Sequence, residues 1–205
     1  MIKNIVVVGS GKGGVGKSTV SINLSVAISK LKKCSVGLLD ADIYGPSIPR
    51  MLGIKEKPIM SSNKKIIPYE KFGIKSMSIG NMIPEDNAVI WRGVMASNAI
   101  KQFLRDVDWG NLDYLIIDLP PGTGDIHLSL CQSLSIKGAV VVSSPQEISL
   151  IDVRKAIGMF EKVNVPVLGL IQNFSYLKVN NEQKNYIFGK DGVIREAKRK
   201  NIEFL

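Results

Sequence analysis

Short runs of β-branched and aliphatic residues alternate along this chain with longer stretches in which apolar side chains recur every three to four positions. The runs at 4–9, 36–40, 113–118, 138–144 and 165–172 are apolar almost throughout and predict buried strands, with a weaker one at 73–79. Helices are predicted over 17–33, 94–107, 125–134 and 149–163. In the first helix Val20, Leu24, Ala27, Ile28 and Leu31 mark the expected buried face. In the last, Leu150, Val153, Ile157 and Phe160 do so, and Ser149 with Asp152 suggests a capping-box start. Residues 44–72 are rich in Gly, Pro, Ser and Lys, which predicts loop with short helical turns. Apolar strands separated by helices imply a parallel sheet covered on both faces, so the expected fold is a doubly wound α/β domain. Ligands in such sheets bind beyond the carboxyl ends of the strands.

Composition narrows the class without changing the fold. The 205 residues, 45% hydrophobic and 22% charged, suit a single domain over 1–205 and exclude disordered, collagenous and disulfide-scaffold chains. The apolar runs fall far short of the roughly 20 residues that cross a bilayer, and the first residues lack the pattern of a secretory leader. A soluble cytoplasmic protein is expected, and Cys34 and Cys131 are too far apart in sequence for a local metal motif. The net charge of +9 comes from lysine-rich blocks at 30–33, 55–75 and 178–205. Such blocks can meet nucleic acid or anionic lipid, but solvated surface explains them as well.

The chemistry begins at residue 11. Gly11, Lys12, Gly13, Gly14, Val15, Gly16, Lys17 and Ser18 fit G-x-x-x-x-G-K-[ST], directly after a strand and opening a helix. Glycines let the backbone turn its N–H groups inward onto phosphate oxygens, and the helix N-terminus adds partial positive charge there. Lys17 would reach the β- and γ-phosphates, Ser18 would ligate Mg²⁺, and Thr19 would meet the α-phosphate. The same stretch satisfies G-x-G-x-x-G, with Asp40 as a ribose-binding acid. A lysine before the Ser-Thr pair is superfluous for a pyrophosphate, however, and Asp118 closes a second apolar strand in the Walker B position. A nucleoside triphosphate, ATP with Mg²⁺, is therefore the expected ligand.

A second lysine within the loop, Lys12, resembles the deviant Walker A motif of the MinD/ParA-like ATPases. In that family it acts in trans, which implies a nucleotide-sandwich homodimer. Three further blocks are similar to the Mrp/ApbC-type iron–sulfur cluster carriers: 39–49 (Leu-Asp-Ala-Asp-Ile-Tyr-Gly-Pro-Ser-Ile-Pro), 91–93 (Trp-Arg-Gly) and 113–125. The likeness runs from about residue 4 to 176, including Gln172-Asn173-Phe174-Ser175-Tyr176. It implies slow ATP hydrolysis with Lys12, Lys17 and Asp40 catalytic, Asp40 orienting water near Mg²⁺. It also implies Ser18, Asp40 and Asp118 around the metal, Gly122 N–H on the γ-phosphate and Asn173 at the adenine. Asp42 either ties the following loop or takes part in catalysis, and Trp91 and Arg92 either line the dimer face or anchor a helix start. The partners implied are apo iron–sulfur proteins or assembly factors; neither nucleic acid nor a membrane is expected.

One departure stands out. Family members follow Asn-x-Ser-Tyr with Cys-x-x-Cys, which ligates a cluster bridging two subunits, whereas here Tyr176 precedes Leu-Lys-Val-Asn-Asn-Glu-Gln with no sulfur. The iron–sulfur ligands are thus unassigned. His127 and Cys131, one turn apart, could supply a substitute pair, though core packing explains both. Residues 201–205 start like a strand and stop where the resembling family continues, which implies a shortened variant or a fragment, either with an exposed sheet edge. Two rival functions are a positioning ATPase on DNA or membrane and a nucleotide-gated regulator that has given up its cluster.

Overall fold

The computed structural model describes residues 1–81, 93–179 and 183–205. Seven strands form one sheet: β1 (Ile2–Gly9), β2 (Val36–Asp40), β3 (Tyr69–Lys71), β4 (Ile74–Ser78), β5 (Leu112–Asp118), β6 (Ile136–Ser143) and β7 (Val167–Gln172). Their order is β3-β4-β2-β5-β1-β6-β7, and all pairs are parallel except β3 with β4. Strand alternation sends Val6 and Val8 to one face and Val7 to the other. On the first face lie α1 (Lys17–Lys32) and the short α2 (Ile48–Met51). On the second lie α3 (Gly93–Asp106), α4 (Asp125–Ser133), α5 (Glu147–Lys162) and α6 (Gly192–Lys200). This is the doubly wound, mostly parallel sheet that the apolar pattern predicts.

The parallel register brings the working ends of the strands together. Val8 stands opposite Asp118, Asp40 opposite both Asp118 and Ser78, and Ser143 opposite Gln172. Side chains separated by tens of residues in sequence therefore share one edge of the sheet.

Three local expectations are corrected. The centre of the buried face of α1 runs along Lys17, Ser21 and Ser25, while Ala27 is exposed and Leu31 projects into solvent. Small serines let the helix approach the sheet closely, and Val20, Leu24 and Ile28 pack on its flanks. The capping box is also absent: α5 begins after Gln146, and Ser149 is buried and shares a hydrogen bond with Ser144. Finally, the end of the chain does not leave β7 bare. Phe204 bridges to Leu170, whose N–H donates to the Glu203 carbonyl while Leu205 N–H donates back to Leu170. Gly169 makes this possible, because a Cβ there would run into Leu205.

Two further short strands and α6 lie outside the elements that the sequence pattern predicts. β8 (Leu177–Val179) and β9 (Gln183–Asn185) pair antiparallel as a separate small sheet. Helix α6 buries Val193 and Ala197, one turn apart, in the core, and charge pairing ties it further, since buried Glu196 accepts from Arg154 of α5 and from Arg199. Burial raises the pKa of that carboxyl, but the two guanidinium partners outweigh it and hold it below its ordinary value.

Candidate functional site

At the carboxyl edge, residues 11–16 turn over the end of β1 and deliver Gly16 and Lys17 to the start of α1. Gly14 and Gly16 have φ of 78° and 83°, a region open to glycine and strained for other residues. A Cβ on Gly16 would collide with the Asn173 amide, and one on Gly11 would collide with the Asp152 backbone of α5. The loop is thus wedged between α1, α5 and the end of β7.

Beneath it lies a cleft of about 260 Å³. Gly13, Gly14, Gly16, Lys17, Ser18 and Thr19 form one wall; Asp42, Gly45, Ser47, Met51 and Pro121 close the other sides. Lys17 is buried, with its ammonium 2.9 Å from Asp118 Oδ2 and 3.6 Å from Asp42 Oδ2. Ser18 Oγ donates to Asp118 Oδ2 at 2.6 Å, and Ser21 Oγ donates to Asp118 Oδ1 at 2.7 Å. One lysine, two hydroxyls and one carboxylate therefore form a compact polar knot in which every partner is satisfied. A hydroxyl and a carboxylate oxygen side by side are hard donors suited to Mg²⁺.

Several sequence-assigned residues meet here and others stand apart. Gly13, Gly14, Gly16, Lys17, Ser18 and Thr19 line the cleft, and Asp118 lies directly behind it. Gly11 and Val15 support the loop from below; Val15 is buried and its carbonyl accepts from Asn173 Nδ2 at 3.0 Å. Lys12 does not line the cleft and makes no ion pair among the described residues; its carbonyl accepts from Ser10 Oγ. Gly122, with φ of 97°, has its N–H donated to the Ser10 carbonyl at 3.0 Å rather than aimed into the cleft. Trp91 and Arg92 lie outside the described residues.

Asp40, which the resemblance places at the water and metal, stands back from the cleft in this chain: its carboxylate is fully buried and does not line it. Oδ1 accepts from Asp42 N–H; Oδ2 accepts from Ile48 N–H and from Ser78 Oγ. Asp40 thus pins the loop that follows β2 and leads into α2. Asp42, two residues on, lines the cleft beside Lys17 and also accepts from the N–H groups of Tyr44 and Gly45. Residues two apart in a strand share a face, so the two diverge only because β2 ends at Asp40 and the turn beyond it carries Asp42 to the cleft.

Burial, together with the negative charge of Asp118, pushes the Asp40 carboxyl up to about 7. Because the folded value lies above the ordinary 3.8, native Asp40 holds its proton more tightly than the unfolded chain does. Its contribution to stability is complete below about pH 4 and is lost as pH rises through about 7. Ligand-free protein should accordingly unfold at lower denaturant at pH 8 than at pH 5. Asp40→Asn should flatten that slope, even though the amide cannot accept all three hydrogen bonds. An unchanged slope in chemical denaturation would mean Asp40 does not titrate in this range.

Sequence reasoning missed Ser21 and Ser78 as members of the site or its support, and left Asp42 open between tying its loop and catalysis. The one available signal was the polar stripe Lys17, Ser21 and Ser25 at i, i+4 spacing on a helix otherwise apolar on its buried side.

The cysteines do not form a metal site. Cys131 is buried in α4, with burial pushing its thiol up to about 11, and Cys34 sits at the opposite, amino edge of the sheet beside the start of β2. His127 donates Nε2–H to the Pro120 carbonyl, and burial lowers its pKa. No group of three or more His, Cys, Asp and Glu side chains that could hold a metal occurs among the described residues. In the segment where the resembling family carries Cys-x-x-Cys, this chain places β8 and β9 and an aromatic surface: Phe174 against Phe188 and Tyr176 against Tyr186. The residues present there do not fit an iron–sulfur cluster, which needs thiolates or similar soft ligands.

A strand–glycine loop–helix with a buried loop lysine, a helix-start serine and a strand-end aspartate defines a P-loop NTPase site. The comparisons with known proteins then give the family. The sequence model described as ParA, NUBPL iron-transfer P-loop NTPase, matches residues 1–205, and the chain belongs to that family. It is 52% identical over 207 residues to the iron-sulfur cluster carrier protein of Aquifex aeolicus, covering all of this chain and 57% of that protein. It is 48% identical over 206 residues to the iron-sulfur cluster transfer protein NUBPL of Mus musculus, covering all of this chain and 65% of that one. The chain thus spans little more than half to two-thirds of the length of these relatives. Among solved structures, a nucleotide-binding protein from Archaeoglobus fulgidus in complex with ADP superposes with a TM-score of 0.85 at 42% identity, covering 99% of this chain and 80% of that one. The septum site-determining protein MinD of Pyrococcus horikoshii, at 22% identity and a TM-score of 0.69, covering 100% and 79%, shares the fold. No described helix is long and apolar enough to cross a membrane.

Proposed function

We propose that this chain is a Mg²⁺-dependent ATPase that works as a homodimer in iron–sulfur cluster delivery and contributes the nucleotide switch. The observation that carries this reading is the Lys17–Ser18–Ser21–Asp118 knot at the mouth of the loop. The ADP bound by the Archaeoglobus relative supports an adenine nucleotide, and the carrier and transfer proteins among the relatives support iron–sulfur client proteins as partners. Ser18 and Asp118 would hold Mg²⁺, which neutralises phosphate charge when bound. Lys17 exchanges its contacts with Asp118 and Asp42 for the β- and γ-phosphates. Asp42, beside the phosphate position, orients the attacking water, while Asp40 holds the loop that carries it. Gly122 N–H leaves the Ser10 carbonyl for the γ-phosphate, so that loading with triphosphate and release after hydrolysis move the 120–124 turn. Asn173 borders the nucleoside end.

The homodimer reading rests on apolar side chains around the cleft. Tyr44 is 66% exposed, Ile148 66%, Met51 45% and Ile151 45%. Ile148 and Ile151 lie in the first turns of α5, whose Asp152 backbone packs on Gly11, the residue before Lys12. Covering this rim with a second copy removes apolar surface from water and brings the partner's Lys12 to the phosphates. Ile148→Glu should abolish ATP-induced dimerisation in analytical ultracentrifugation and slow turnover, with ATP affinity unchanged. A variant that still dimerises with ATP would place the contact elsewhere.

The thiol-free β8–β9 segment favours a second reading, a nucleotide-gated regulator within the same pathway that ligates no cluster itself. Anaerobic reconstitution with iron and sulfide, run on the wild type, Cys34→Ser and Cys131→Ser, separates the two. Stoichiometric iron lost in either variant keeps the carrier role and moves its ligands; absence of iron with intact ATP binding leaves the gated switch.

A further inference from the structure

Phe174 adopts a backbone conformation that its packing does not repay. Its φ is 55°, in the left-handed region that bulky side chains rarely enter. Residues on both sides hold it there: Asn173 N–H donates to the Ser143 carbonyl at 2.8 Å, its Nδ2 donates to Val15, and Ser175 Oγ donates to the Gln172 carbonyl at 3.0 Å. Yet the ring enters neither core cluster and stays 45% exposed. Phe72, in the β3–β4 turn, shares a left-handed φ and is more exposed, so what singles out Phe174 is the same strain held beside the phosphate loop.

Its position says which part of a ligand. The ring's Cζ stands 3.8 Å from where a Cβ on Gly16 would be, at the last turn of the phosphate loop. Asp42 and Asp118, which mark the metal and terminal-phosphate end, come from β2 and β5 on one side of β1. Phe174 follows β7 on the other side of β1, two strands away. A triphosphate lying along the loop with its terminal phosphate at the acids directs its nucleoside end toward β7. The Phe188 ring packs against Phe174 at 5.9 Å with a 59° tilt and braces it, while Phe174 stays 45% exposed.

We infer that the Phe174 ring, braced by Phe188, is the platform on which the base of the bound nucleotide stacks, so that this residue separates nucleoside triphosphates from inorganic triphosphate. The inference rests on the nucleotide reading above. Stacking on an aromatic side chain is sequence-tolerant, because every base presents a π-face, and purines offer the larger one.

The test uses Phe174→Gly on the full chain, since glycine accepts φ of 55° without strain and the variant loses the ring while keeping the loop. Calorimetric titration with Mg-ATP and, separately, with inorganic tripolyphosphate is run on the wild type, Phe174→Gly and Phe174→Tyr. The expected result is an ATP affinity about tenfold weaker in Phe174→Gly, tripolyphosphate affinity unchanged, and ATP affinity restored in Phe174→Tyr. Equal ATP affinity in Phe174→Gly overturns the inference. So does a parallel loss for both ligands, which would make the ring a support for the loop. Wild type that binds tripolyphosphate but gains nothing from the base also overturns it, while wild type that binds neither ligand overturns the nucleotide reading and this inference with it.

Discussion

Replacing Lys17 by alanine is expected to remove nucleotide binding and to destabilise the ligand-free protein at the same time. The ammonium is buried between Asp118 and Asp42, and Asp118 is wholly inaccessible to water. Deleting one partner of a buried ion pair leaves the other uncompensated, at a cost of about 3–5 kcal/mol. Ser18 and Ser21 still donate to Asp118, which places the loss toward the lower end of that range. ATP affinity should fall at least ~100-fold, because the same lysine is the only buried cation lining the cleft among the described residues. The double variant Lys17→Ala with Asp118→Asn separates the two effects: removing the stranded charge should recover much of the stability and none of the affinity. Chemical denaturation and calorimetric titration on the three proteins measure both quantities. Hydrolysis that survives in Lys17→Ala would show that the site assignment is wrong.

Lys12→Ala should behave in the opposite way, leaving binding and stability close to wild type while turnover falls. The Lys12 side chain makes no ion pair among the described residues and does not line its own cleft, so its removal disturbs little within one protomer. If its ammonium completes the site of a second copy, its loss removes charge stabilisation that develops in the transition state alone. Where an arginine does this work the effect is roughly 10³–10⁵ in rate, and a lysine point charge should lie near the lower value. Steady-state hydrolysis with saturating ATP reads the change directly. Mixing Lys12→Ala with a second, binding-deficient Lys17→Ala protein adds a test of direction. Transfer in trans requires the donor of Lys12 and the holder of ATP to be different chains, so the mixture should regain activity that neither variant has alone. A mixture as inactive as its parts would confine Lys12 to its own protomer.

The contrast between these two lysines shows how the sequence could be read. Lys12 and Lys17 belong to one glycine-rich run, and local chemistry suffices to tell that such a run surrounds phosphate. The strand-end acids were legible for a similar reason, since apolar strands in parallel order must finish at one edge. Which acid faces the ligand was not legible. Asp40 and Asp42 are two residues apart in one motif, and only the pairing of Asp40 with Ser78 and the Ile48 N–H shows that it looks inward. The stripe of Ser21 and Ser25 in α1 escaped for a related reason. Apolar periodicity places a helix face by its greasy residues, whereas here the closest approach to the sheet is made by small polar ones.

What the sequence determined by itself is therefore whatever depends on neighbours along the chain: the strand–loop–helix of the phosphate site, the period of the apolar runs, the parallel sheet those runs require, and the lack of sulfur after Tyr176. The tertiary structure alone decided what depends on residues meeting across the sheet. It joined Ser18 and Ser21 to Asp118, turned Asp40 away and Asp42 toward the cleft, and held α6 through Arg154 and Glu196. It also placed Phe174 beside Gly16. The physical reason is that periodicity reports only the average burial of a segment, while hydrogen-bond satisfaction and ion pairing act between particular atoms whose proximity is set by strand order and register.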